Sequence, residues 1–280
     1  MTISKESTSR TIQTSDWNIH YHEAGTGHPV ILLHGSGPGA TGWSNFSGNM
    51  AGLSAHFRTL AVDMPGWGAS DPCTIDQMDH VAATLQFMDA LNIEHAAIVG
   101  NSMGGVNAIR MAAEYPDRVS HLITMGSVMS RLPRLYGAGD GPTEGLKILV
   151  EAYRNPTADT MQRLVEIMCY DKRFADTELC RKRSEAASAQ PKHLENFLAG
   201  LPKGSPVPQM ASLEQIMGIA APSLLIHGRD DRVVHYEHSL TLVSYIPNSR
   251  LVLLNRCGHW AMIEHADEFN RLVVDFVLHN

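Results

Sequence analysis

An α/β fold, with a mainly parallel sheet covered by helices and one helical insertion, is what this sequence predicts. Three observations carry that expectation. Short runs rich in Val, Ile, Leu and Ala end abruptly in Gly, Asp or His. Helix-patterned segments alternate with them, and continuous apolar runs of that length suit strands buried on both faces of a parallel sheet. The alternation breaks once, over residues 132–212, and resumes at Pro222.

Residues 17–25 (WNIHYHEAG) read as an edge strand or hairpin half ahead of the parallel region. The buried strands are then PVILLHG at 29–35, RTLAVD at 58–63, AAIVG at 96–100 and HLITMGS at 121–127. Helices are expected over 79–91 and 103–115, the second stopped by Pro116, whose ring and missing N–H end a helix. Within 132–212, EGLKILVEAYR (144–154) and DTMQRLVEIMCYD (159–171) are patterned as helices and no strand-like run occurs. PSLLIHG at 222–228 and RLVLLNR at 250–256 restore the strand rhythm. The simplest division is a core of 1–131 and 213–280 with a helical cap, 132–212, over one end of the sheet. No repeat or low-complexity linker interrupts it, so the cap is expected to be packed rather than tethered.

At 280 residues the chain accommodates one large domain with an insertion. With 44% hydrophobic and 18% charged residues it buries an ordinary core. A formal net charge of −7 provides no basic footprint, which excludes nucleic acid as an expected partner. Residues 1–15 (MTISKESTSRTIQTS) are polar and lack the apolar stretch of a signal peptide, and no apolar run approaches a membrane span. The four cysteines, Cys73, Cys169, Cys180 and Cys257, are scattered, and the fifteen histidines show no metal-ligand spacing. Thiols rather than disulfides, no metal and a soluble cytoplasmic protein are the expectations.

The chemistry begins at GNSMG, residues 100–104, which reads G-x-S-x-G between a strand-like run and a helix-like one. In that setting the serine projects from a sharp turn at the carboxyl end of the sheet, where the small flanking residues let strand and helix approach. A serine hydroxyl is a weak nucleophile and needs a histidine base oriented by a carboxylate. In this type of fold the acid and then the histidine follow in chain order. HGRDD delivers Asp230 and Asp231 just past one later strand, and CGH delivers His259 just past the next. The position three residues after the strand-ending glycine favours Asp231, with Asp230 bracing the turn. Donors for a developing oxyanion are expected from the N–H of Met103 and from Ser36 or Gly37 in the glycine-rich loop HGSGPGATGW.

The set HGSGPGATGWSNF (34–46), DMPGWGASD (63–71), GNSMGG (100–105), HGRDDRVV (227–234) and CGHWAMIEHADEFNRLV (257–273) resembles the meta-cleavage product hydrolases. Further similarity lies in the cap at PTEGLK and HLENF. The resemblance implies the α/β-hydrolase fold, with a mostly parallel eight-stranded sheet. It also implies hydrolysis of a carbon–carbon bond in a 2-hydroxy-6-oxohexa-2,4-dienoate-type product of aromatic ring fission. The products are 2-hydroxypenta-2,4-dienoate and a carboxylic acid, after conversion of the dienol to its keto form, without metal or organic cofactor. Ser102, Asp231 and His259 match the triad, and Ser36 with Met103 the oxyanion site. Asn45, Asn101 and Trp260 match residues around the dienoate. Arg183, in ELCRKRSEAA, falls where an arginine binds the substrate carboxylate, with Arg181 and Lys182 close by. A homodimer or larger homo-oligomer is implied as well. Two departures stand out: VMSRLPRLYGAGDG, residues 128–141, follows no family pattern, and Met168 stands where an aromatic cap residue is expected. A serine esterase or amidase on the same fold is the alternative. A dehalogenase is disfavoured because Ser102 stands where that chemistry needs a carboxylate.

Overall fold

The computed structural model describes residues 3–128, 142–201 and 209–280. Most of the unpatterned stretch 128–141, and with it one boundary of the expected cap, lies outside the described residues. An eight-stranded sheet runs in the order β1-β2-β4-β3-β5-β6-β7-β8. Its strands are β1 (Ser9–Gln13), β2 (Asn18–Ala24), β3 (Pro29–Leu33), β4 (Arg58–Val62), β5 (Ala96–Asn101), β6 (Val119–Met125), β7 (Ser223–Gly228) and β8 (Ser249–Leu254). β2 pairs antiparallel with β1 and β4, and every other neighbouring pair is parallel.

Helices α1 (Lys5–Thr8), α2 (Gly42–Ser54), α3 (His80–Ala90) and α4 (Met103–Glu114) precede the insertion. Thr41 and Ser44 close a capping box on α2, and the Asp79 side chain accepts from Ala82 N at the start of α3, satisfying donors that a helix start leaves orphaned. α2 packs on β2, β3 and β4, whereas α4 packs on β3, β5 and β6. All residues of β5 and β7 are buried, so helices cover both faces there. Val30, Ile31, Leu32 and Leu33 are fully buried, each contributing roughly 1.5–3 kcal/mol. Among the described residues no helix is long and apolar enough to cross a membrane.

One strand was not anticipated, and one expectation needs correction. The polar segment SRTIQ forms edge strand β1, because β2 offers it a full antiparallel partner from Ser9–His22 to Gln13–Asn18. β8 is not buried on both faces: it is the opposite edge of the sheet, and Leu253 is 40% exposed.

Between β6 and β7 the described chain is helical: α5 (Glu144–Arg154), α6 (Ala158–Met168), α7 (Thr177–Ser188), α8 (Pro191–Gly200) and α9 (Leu213–Met217). α6 stops at Met168, so Cys169, Tyr170 and Asp171 lie beyond the helix expected to include them. This helical layer is bonded to the core. Thr143 Oγ1 donates to Val233 O at 2.8 Å, and Arg232 Nη2 donates to Cys169 O at 3.1 Å and to Glu166 O. α10 (Glu237–Tyr245), α11 (Ala261–Glu264) and α12 (Ala266–His279) complete the chain.

Candidate active site

β5 hands over to α4 through Ser102, which has φ 52° and ψ −114°. Holding a non-glycine residue there costs on the order of 1–3 kcal/mol, and the surroundings make the turn obligatory. A Cβ on Gly100 would lie 2.2 Å from Gly104 O, and one on Gly104 would lie 2.2 Å from Leu33 O. The glycines therefore let α4 start against β3 and β5, and Ser102 N donates to Met125 O at 2.8 Å. Met103 is the first residue of α4, where backbone N–H groups have no helical acceptor and the helix dipole favours negative charge.

Past β7, Asp231 is buried with both carboxylate oxygens occupied. Oδ1 accepts from Val233 N at 2.8 Å and Val234 N at 2.9 Å. Oδ2 lies 2.7 Å from His259 Nδ1. The acceptor fixes the tautomer: Nδ1 carries the proton and Nε2 is free to take one. Oδ2 also lies 3.2 Å from Nε2 of the fully buried His227, which is 2.9 Å from Val234 O. Both neighbours are acceptors, so His227 Nε2 is protonated and its Nδ1 accepts from the Ser239 hydroxyl at 2.7 Å. Burial opposes the Asp231 charge, yet His259 and His227 hold the carboxyl well below the usual range. Asp230 is turned away; its N–H donates to Cys257 O at 2.9 Å and braces the turn.

The His259 loop is fixed from two directions. His259 N donates to Met168 O, at the end of α6, at 2.6 Å. The Glu264 carboxylate accepts from Gly258 N at 2.6 Å, Tyr170 N at 2.8 Å and Asp171 N at 2.9 Å. Gly126, at φ 56°, forms the floor: a Cβ there would sit 2.8 Å from His259 Nδ1 and 3.3 Å from Asp231 Oδ2.

Ser102 and His259 line one cavity together with Ser36, Gly37, Asn45, Asn101, Leu149, Met168, Arg183 and Trp260. No hydrogen bond joins Ser102 to His259 in this structure; such contacts commonly tighten only when substrate is bound. Among the described residues neither Ser36 N nor Gly37 N donates to a backbone acceptor. His34 Nδ1 lies 2.8 Å from Gly35 O while its Nε2 accepts from Met64 N at 3.1 Å, joining the loops after β3 and β4. The Asn101 amide donates to Met125 O and His259 O, each at 3.3 Å, tying the serine turn to the histidine loop. Asn45 Nδ2 donates to Thr41 O at 3.1 Å.

Arg183 is the buried member of its basic run. Arg181 pairs with Glu178 and Glu185 at the surface, and Lys182 pairs with Glu178. The Arg183 guanidinium lies over the Trp260 ring, 4.4 Å from its centroid, and Nε has no hydrogen-bond partner. Among the described residues no carboxylate pairs with it. Burial lowers its pKa from the ordinary arginine value.

Residues 28–266 match the family described as alpha/beta hydrolase fold. The chain is 41% identical over 270 residues to the 2-hydroxy-6-oxo-6-phenylhexa-2,4-dienoate hydrolase of Comamonas testosteroni, covering 94% of this chain and 92% of that protein. It is equally 41% identical, over 268 residues, to a 2-hydroxy-6-oxononadienedioate/2-hydroxy-6-oxononatrienedioate hydrolase of Burkholderia vietnamiensis, with 94% and 92% covered. The chain belongs to the meta-cleavage product hydrolases. Within that family, a solved structure of the Pseudomonas fluorescens IP01 hydrolase superposes with a TM-score of 0.85 at 36% identity, covering 95% of this chain and 96% of that one. The corresponding dienoate hydrolase of Rhodococcus sp. strain RHA1 gives 0.79 at 28% identity, covering 96% and 99%.

The residues named from sequence therefore meet in one place in this meta-cleavage product hydrolase. Ser102, His259, Ser36, Gly37, Asn45, Asn101, Arg183 and Trp260 share the cavity, and Asp231 stands behind His259. Met103 begins the helix that leaves it. His227 and Gly126 escaped sequence reasoning. His227 stands inside the motif that supplied Asp231 and was readable as the end of a strand; only the folded turn brings its ring to Oδ2.

Proposed function

We propose that this chain hydrolyses a carbon–carbon bond in a 2-hydroxy-6-oxohexa-2,4-dienoate-type ring-fission product, releasing 2-hydroxypenta-2,4-dienoate and a carboxylic acid. Arg183 carries the reading. A buried guanidinium with no carboxylate partner among the described residues, in the cavity of Ser102 and His259, fits a substrate that brings its own carboxylate. A simple ester needs no such clamp. The names of the relatives point the same way.

The dienol, held at its carboxylate by Arg183, is first converted to the keto form. Ser102 Oγ then adds to the C6 carbonyl while His259 Nε2 takes its proton, with Asp231 stabilising the imidazolium. The negative charge on the C6 oxygen falls to the N–H of Met103 and that of Ser36 or Gly37. When the C5–C6 bond breaks, its electron pair passes into the conjugated 2-oxo system and the fragment recovers the proton from His259. Water, activated by His259, releases the acid from Ser102. Asn45, Asn101 and Trp260 surround the dienoate, and Leu149 with Met168 faces the C6 substituent. The core of residues 1–131 and 213–280, the cap of 132–212, a cytoplasmic setting and a homo-oligomer belong to the same reading.

A panel of coloured ring-fission products, followed by loss of visible absorbance beside a p-nitrophenyl ester, tests it. Dienoate turnover far above ester turnover is expected, and Ser102→Ala should abolish product formation with the fold intact. Ester turnover alone would mark a serine esterase. Substantial turnover by Ser102→Ala would remove Ser102 as nucleophile.

A further inference from the structure

The oxyanion donors on the Ser36–Gly37 loop are aimed by the peptide planes to which they belong. In a trans peptide the C=O points opposite to the N–H, so holding one fixes the direction of the other. Gly35 O, on the plane of Ser36 N–H, is held by His34 from within the core. The next plane, Ser36 O with Gly37 N–H, is held from the helical insertion: Tyr153 Oη, on α5, donates to Ser36 O at 2.7 Å. Trp67 Nε1 is shared between Tyr153 Oη and Gly37 O, 3.1 Å from each. Phe197 of α8 lies flat on the Tyr153 ring, centroids 3.6 Å apart with 3° between the planes. Burial pushes the Tyr153 phenol above its ordinary pKa, against the Trp67 hydrogen bond, so it remains an O–H donor. Neither Tyr153 nor Trp67 lines the cavity of Ser102; both bear on the loop from behind.

We propose that Tyr153 is a positioning residue through which the helical insertion, with Trp67 as the shared donor, aims the oxyanion N–H groups of the Ser36–Gly37 loop. The inference rests on the reading of Ser102 as a nucleophile that attacks a carbonyl. It makes the insertion a working part of the catalytic frame, and it places that contribution in the turnover step rather than in substrate capture.

Tyr153→Phe keeps the stacked ring and removes only the hydroxyl. On both a dienoate and a neutral p-nitrophenyl ester, kcat should fall roughly 10- to 100-fold, less than the loss of a whole oxyanion donor, with KM changed by less than about threefold. Affinity for a boronic acid that forms a tetrahedral adduct on Ser102 should fall by a similar factor. Dienoate binding in a Ser102→Ala background should be unmoved by the second substitution. Trp67→Phe should lower kcat over the same range, and the double variant should lose little more than the worse single one. A Tyr153→Phe kcat within twofold of wild type, or a loss confined to KM, overturns the proposal and leaves Ser102 in place. Activity that survives Ser102→Ala overturns the reading beneath it instead.

Discussion

Replacing Arg183 by Met separates what the fold needs from what the substrate needs. Arg183 is 7% exposed, lacks a partner at Nε, lies 4.4 Å from the Trp260 ring and has no carboxylate partner among the described residues. A desolvated cation–π contact is worth about 2 kcal/mol. The effective penalty for burying an uncompensated charge is several kcal/mol. Methionine fills much of the same volume without that penalty, so the substrate-free protein should gain about 1 kcal/mol, or roughly 2–4 °C in Tm. Substrate use should move the other way. Truncating one partner of a buried, hydrogen-bonded charge pair costs about 2–5 kcal/mol. At 1.4 kcal/mol per factor of ten, kcat/KM on a carboxylate-bearing dienoate should fall by about 30- to 3,000-fold. Turnover of a neutral p-nitrophenyl ester should stay within about threefold, since Ser102, His259 and the oxyanion donors are untouched. Absorbance kinetics on both substrates and a thermal melt read all three quantities. A variant that melts about 5 °C lower and loses ester and dienoate turnover alike would show Arg183 to be a structural residue, and the clamp assignment would fall.

Gly126→Ala tests the floor of the site. Left-handed φ costs an alanine about 1–2 kcal/mol, and the new Cβ, 2.8 Å from His259 Nδ1, must displace the imidazole; kcat should fall roughly 10- to 100-fold, and wild-type turnover would contradict this packing. A stability prediction follows from His22 and His80, each 1% exposed, whose pKa values burial lowers to about 4. The unfolded chain takes up these protons first, near pH 6.5, so the contribution of these two groups to stability should fall as pH drops from about 6.5 to about 4 and stay constant below. His80→Gln, which retains a donor for Pro65 O, removes one of the two protons; urea unfolding at pH 7, 6 and 5 should show a shallower dependence, and an unchanged slope would count against the assignment.

What sequence could convey was whatever local pattern encodes. The strands of the parallel region announce themselves as apolar runs with hard ends. Ser102, Asp231 and His259 each follow one of those runs, so their order in the chain maps onto neighbouring positions at one end of the sheet. β1 was illegible because SRTIQ is held by its pairing with β2 and not by burial of its own side chains. Burial at β8 was misread because periodicity does not disclose which strand ends up at an edge. Gly126 sits at the end of a strand whose apolar run was visible, but its reason for being glycine lies in His259, far along the chain. Tyr153 belongs to a segment read correctly as a helix, where an aromatic residue ordinarily signals core packing. Only the bond from its hydroxyl to Ser36 O distinguishes it.

The insertion point between β6 and β7 explains why these distant residues act together. β6 runs out at Gly126 beneath His259, and β7 runs parallel to it and leads into Asp231, so a segment inserted after β6 begins beside the acid–base pair. From there it reaches each part of the site: the acid loop through Thr143 and Val233 O, the histidine loop through Met168 O, and the oxyanion loop through Tyr153. The same two helices, α5 and α6, present Leu149 and Met168 to the cavity. The two duties fall on different atoms. Met168 supports His259 through its backbone carbonyl, which any residue provides, and meets the cavity with its side chain. Leu149 is one helical turn from Tyr153 and can vary without disturbing the hydroxyl on Ser36. Side-chain exchange at these two positions can therefore reshape the cavity beside Ser102 and His259 while the carbonyl and hydroxyl that hold the surrounding loops stay where they are.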